Sequence, residues 1–112
     1  MTRRVIAIEG RPTTDGRLIE VGALKWDNEP IPVLALGSDP FPYIVGKATD
    51  LLREDDGKIT ADIQITGREL DDDEHPAIYV MNLECTTSDG TLRITQGRIA
   101  DITLVGTWAW SE

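Results

Sequence analysis

The chain predicts a mainly β fold, a single compact antiparallel sheet or barrel domain. Three observations predict it: β-branched residues come in short runs, Gly, Pro and Asp break those runs at intervals suited to antiparallel strands, and no stretch carries the apolar spacing of an amphipathic helix. A length of 112 residues allows one domain, which on folding would hide roughly 60–65% of its extended-chain surface. No repeat or low-complexity linker divides the chain, so 1–112 reads as one β-rich domain.

The elements follow in order. Val5 to Gly10 is a first strand, ended by the turn-forming Pro12-Thr13-Thr14-Asp15-Gly16. Arg17 to Val21 follows, and Gly22 to Trp26 reads as a single helical turn. Pro30 and Pro32 frame the unbroken apolar run Val33 to Leu36, which suggests a strand buried on both faces. Tyr43 to Arg53 and Lys58 to Thr66 form a hairpin around Asp56-Gly57, with Ile59, Ala61, Ile63 and Ile65 on one face of the return strand. Residues 67–76 read as an acidic surface loop, too poor in apolar side chains to pack. Ile78 to Thr86 is a strand, Ser88-Asp89-Gly90 a turn, Leu92 to Thr95 a short strand, and Gln96-Gly97 a further turn. In Arg98 to Val105, Ile99, Asp101, Thr103 and Val105 alternate with the residues between them; a C-terminal aromatic tail, 106–112, closes the chain.

Composition narrows the function. Lys plus Arg is 11 against 20 for Asp plus Glu, a formal charge of -9. Such a balance argues against nucleic acid and against anionic membranes, whose affinity comes from clustered cations. One cysteine and one histidine supply neither an internal disulfide nor a zinc site of the usual composition. The four apolar residues Val5 to Ile8 fall far short of a signal peptide or membrane span, so the expected location is the cytosol or something assembled there.

Few residues offer chemistry. His75 follows a run of carboxylates that could orient it as a base, but its flanks describe a loop end that would not hold it near a nucleophile. Cys85 lies in an expected strand with no nearby cation and reads as a buried small hydrophobe. Glu69, Asp71, Asp72, Asp73 and Glu74 lack the spacing of a calcium loop, and no metal or cofactor is expected. Thr86, Thr87 and Ser88 offer hydroxyls before a turn, where hydroxyls are common. Trp108 and Trp110 are two residues apart, so on an extended tail both rings face one way; they suit either core packing or a partner interface.

The order of segments resembles the prohead proteases of tailed phages, serine proteases related to the herpesvirus assemblins. The resemblance lies in Ile8-Glu9-Gly10, Asp15 to Leu24, Pro32 to Pro40, Ile44 to Ala48, Asp55 to Ile59 and the closing Ile99 to Thr107. It implies a β fold of that type with reduced helix content, since the acidic block stands where the family's helices are expected. It also implies a general-base histidine after the apolar run, where this chain has Ser38, and a serine nucleophile near Cys85 to Ser88. A serine hydroxyl does not accept a proton near neutral pH, so the resemblance implies a protease-like fold without catalysis. The expected function is a phage capsid structural protein, a head decoration or capsid-stabilising protein located in the virion. Its expected partner is the major capsid protein, with self-association as a trimer. The alternatives are a minimal maturation protease using Thr86, Thr87 or Ser88 with His75, and a scaffolding or protease-inhibitory module.

Overall fold

A computed structural model describes residues 2–36 and 42–110. These residues form strands β1 (Thr2–Ile8), β2 (Arg17–Ile19), β3 (Leu24–Lys25), β4 (Ile31–Ala35), β5 (Tyr43–Arg53), β6 (Lys58–Ile65), β7 (His75–Ser88) and β8 (Thr91–Val105), with no helix among them. The protein is mainly β, as its residue pattern predicts. One sheet holds all the strands in the order β1-β6-β5-β4-β8-β2, with β3 and β7 also paired to β8. It curls into a half-barrel in which β7 returns alongside β1 without pairing with it.

The sheet is mixed rather than purely antiparallel, and counting strands explains why. From β4 the chain reverses through β5, β6, β7 and β8, so β8 regains the direction of β4, and the two pair in parallel when the sheet curls. β2 and β3 also run parallel to β8, at Leu92–Ile94 and Gly97–Arg98. The segment read as a helical turn, Gly22 to Trp26, is instead an excursion between these short strands, closed by the Ala23 N–H donating to the Glu20 carbonyl. Its backbone is drawn into pairing with β8, and that cannot be seen in a five-residue window.

Ile59, Ala61, Ile63 and Ile65 of β6 all face the core, as their alternation requires. β4 alternates buried and half-buried residues, so the run from Val33 is covered fully on one face only, and Leu36 is exposed. At the β5–β6 hairpin Gly57 has φ +89°, and a Cβ there would collide with the Glu9 carbonyl oxygen. This turn therefore needs glycine twice over.

Two expectations about the C-terminal third change. Gln96-Gly97 is no turn: β8 runs unbroken for 15 residues, and position 97 needs glycine because a Cβ there would strike the Val80 side chain packed over it. The inward face of β8 also switches twice, from Ile94 to Gly97 and Ile99 and then to Ile102 and Leu104. Register shifts opposite Glu84 accompany the first switch, and a bulge produces the second, since Val80 pairs with Ile99 and Tyr79 with Asp101, leaving Ala100 as the extra residue.

Beside that bulge, burial pushes the Asp101 carboxyl above the usual aspartate range. A carboxyl whose folded pKa is raised weakens the fold at neutral pH and ceases to do so once protonated. Asp101→Asn is therefore expected to raise the melting temperature at pH 7 by a few degrees, with the gain fading as pH falls toward the ordinary value of 3.8. Thermal melts of both proteins across that range check it.

Candidate functional site

Curling brings the N-terminal half of β1 opposite the start of β7, and an open cleft of about 640 Å³ lies along this seam. Arg3, Arg4, Val5 and Ile8 of β1, Lys58 of β6, and Arg11 line one side. Asp72, His75, Pro76 and Trp108 complete it. The loop before β7 must cross past β1 to reach the far side, and this crossing sets the Glu74 carbonyl oxygen where Arg4 donates to it at 2.9 Å.

The cations are held in different ways. Arg3 donates to the Thr60 hydroxyl at 2.8 Å and pairs with Asp62, its register partner, at 3.2 Å. Lys58 stands 3.5 Å from Asp56. The Glu74 carboxylate is turned toward Arg68, 2.6 and 2.9 Å from its guanidinium. Arg68 holds it below the usual carboxylate range against a smaller upward push from burial. Arg4 donates its described hydrogen bond to a neutral carbonyl, and its charge also helps to hold the Glu74 carboxyl below the usual range.

A second charged cluster lies at the other end of β1. The Glu9 side chain is fully buried and accepts from Arg53 Nε at 2.6 Å and Nη2 at 3.1 Å, from the Leu24 N–H at 3.0 Å and from the Gly22 N–H at 3.1 Å. Arg53 also donates to the Leu24 carbonyl at 2.6 Å and lies over the Trp26 ring, 5.0 Å from its centroid. Burial drives the Glu9 pKa up, but Arg53 and the two backbone donors outweigh it and leave the carboxyl below its ordinary range. Every acceptor direction is occupied by this chain, so the cluster ties β1, the β3 excursion and the end of β5 together and has no capacity for a ligand.

The residues singled out from sequence are not brought together. His75 is the first residue of β7, paired with Val105, and not part of a solvated loop; the loop expected over 67–76 ends at Glu74, two residues sooner. Its ring lies 6.1 Å from that of Trp108, and no ion pair to it occurs among the described residues. Thr86 lies eleven positions along the same strand, about 35 Å away at ~3.3 Å per residue. Thr87 and Ser88 lie farther out, at the hairpin tip. Cys85 is exposed rather than buried, because β7 beyond Val80 projects past the barrel and is exposed on both faces. Ser38 lies outside the described residues.

Trp110 is only 5% exposed and donates its indole N–H to the Arg11 carbonyl at 2.9 Å. The tail thus seals the core, held by the Thr14 N–H bonded to the Ala109 carbonyl, and Trp110 is not a free docking anchor. Trp108 stays half-buried against it, the ring centroids 5.1 Å apart.

Sequence reasoning missed Arg3, Arg4, Arg11 and Lys58. The available signal was the scarcity of cations in an acidic chain, which makes four of 11 in one place notable. Fold and site together define a half-barrel β domain with a cationic, Trp-floored cleft and with its histidine remote from its candidate nucleophiles. The chain has no significant match to a protein-family model, a curated protein or a solved structure.

Proposed function

We propose that the protein is a non-catalytic structural component of a tailed-phage capsid, in its most specific form a head decoration protein that binds the assembled major capsid protein. The projecting β7–β8 hairpin carries this reading. Tyr79, Met81 and Leu83 are 59%, 50% and 48% exposed there, and among the described residues β7 pairs only with β8, so an apolar strand edge without a described strand partner extends from the barrel. Such an edge is the kind of surface that a partner covers in an assembly. The separation of His75 from Thr86, Thr87 and Ser88 supports the absence of peptidase chemistry, since a base must lie within hydrogen-bond reach of its nucleophile. The curled β sheet accords with the resemblance to prohead proteases, and a charge of -9 would keep decorated particles apart.

The test is co-sedimentation with shells of the major capsid protein encoded beside it, together with mass spectrometry of purified virions. Binding to mature shells, presence in virions and no cleavage of capsid precursor are the expected results. Precursor cleavage that falls on His75→Ala would establish the protease reading instead, and binding to precursor shells alone would favour a scaffolding module.

A further inference from the structure

We propose that the outer edge of β7, from Tyr79 to Ser88, pairs antiparallel with the same edge of a second copy of this chain about a two-fold axis. The inference rests on the reading of this edge as an assembly surface and assigns what covers it. A contact between free copies is measured without a capsid, so its failure and that of the capsid reading are separate results.

The outer strands β1 and β7 are guarded differently. β1 carries Arg3 and Arg4, and Arg4 is bonded across the seam to the Glu74 carbonyl. His75 and Pro76 of β7 line that same seam, where a proline has no N–H to offer a neighbouring strand. From Tyr79 to Ser88, β7 has no proline, no lysine and one charged side chain, Glu84, and among the described residues its outer edge has no strand partner. Edge strands that stay solitary are shortened, charged or covered. This one is long, nearly uncharged and supplied with the strand formers Tyr79, Val80, Thr86 and Thr87.

Charge selects a second copy that meets this edge and no other orientation. Each chain carries -9, so copies repel wherever their acidic surfaces approach. The hairpin from Tyr79 to Arg98 carries Glu84 and Asp89 against Arg93 and Arg98, no net charge. Antiparallel pairing of the projecting strands also sets the two barrels at opposite ends, about 30 Å apart for the span Tyr79–Ser88 at ~3.3 Å per residue and well beyond a Debye length of ~8 Å. Around a two-fold axis the edge is its own complement, each row of donors and acceptors meeting the same row reversed.

The bulge in β7 selects the alignment. Asn82, at φ +54°, sits in the register shift between Met81 and Glu84 and divides the edge into Tyr79–Met81 and Cys85–Ser88. Full overlap lays each of these runs on the other run of the second copy and leaves both bulges at the axis, where they interrupt neither run. Tyr79 and Met81 then face the hydroxyl-bearing end of the neighbouring strand, and the two Leu83 side chains lie nearest the axis.

The test is sedimentation velocity of the full chain over a range of concentrations at two salt levels. A monomer–dimer equilibrium, half complete at roughly 10–100 µM for so short an edge, is expected, and salt should strengthen it by screening the repulsion between acidic chains. Met81→Glu/Leu83→Glu should weaken the dimer about ten-fold or more, whereas Ile44→Glu/Leu52→Glu adds the same charge at exposed apolar positions of β5 and should stay within about three-fold of wild type. Thermal melts accompany both, and Thr86→Glu, at an exposed position, is an independent edge variant should the first pair lower the melt. A nitroxide on Cys85, the one cysteine of the chain and exposed, reports the alignment, because full overlap sets the two labels about 10 Å apart along the strands and broadens their spectrum. A trimer, association that weakens with salt, equal losses in the two double variants, or a dimer without broadening would overturn the proposal. So would a chain that stays monomeric at about 500 µM, and if that chain still bound capsid shells the capsid reading would stand without this one.

Discussion

Arg53→Ala is expected to destabilise the protein by about 3–5 kcal/mol, because it strands the Glu9 carboxylate inside the barrel with only the Gly22 and Leu24 N–H donors. Chemical denaturation at pH 7 measures the loss, and a value under about 1 kcal/mol would show that the pair is no more than a surface ion pair. The pH dependence gives a separate signature. In the wild type the folded Glu9 pKa is depressed, so its contribution is present above the ordinary value of 4.5 and is lost as pH falls through the lower folded value. Without Arg53, burial is opposed only by the Leu24 and Gly22 N–H donors, so the folded pKa moves up from its wild-type value and the variant should recover part of its deficit on acidification. The gap between wild type and variant therefore narrows toward acid pH; a constant gap would mean that Arg53 acts by packing on Trp26 alone.

Trp110→Ala is expected to cost about 3–5 kcal/mol. At ~4–8 °C per kcal/mol for a domain of this size, the melt should fall by some ~20 °C. Trp110→Phe keeps most of the packing and gives up the bond to the Arg11 carbonyl, for a smaller loss of about 1 kcal/mol. Trp108→Ala should cost less than Trp110→Ala, since the Trp108 ring is only half-buried. Differential scanning calorimetry of the three variants checks the order, and an unchanged melt for Trp110→Ala would return that ring to the surface.

The residues 58–65 show why much of the fold was legible. A half-buried strand must alternate, and a tight reversal must use residues that tolerate positive φ, so Ile59 to Ile65 and the pairs Asp56-Gly57 and Asp89-Gly90 declare themselves locally. Gly97 shows the limit. Glycine serves a turn and a close approach alike, and only the position of Val80 distinguishes them. Cys85 fails for a related reason, because a strand's apolar residues do not reveal whether a second layer lies behind them.

By itself the sequence determined a single β domain, its hairpins, the core face of β6 and the acidity that sets its electrostatic character; each depends on neighbours a few residues apart. The tertiary structure alone decided the parallel pairing of β4 with β8, the burial of Trp110, the joining of Glu9 to Arg53 across 44 positions and the gathering of Arg3, Arg4, Arg11, Lys58 and Trp108 along one seam. Those features depend on how far the sheet curls. Curl is a sum of twist and bulges over every strand, and no local stretch of residues records it.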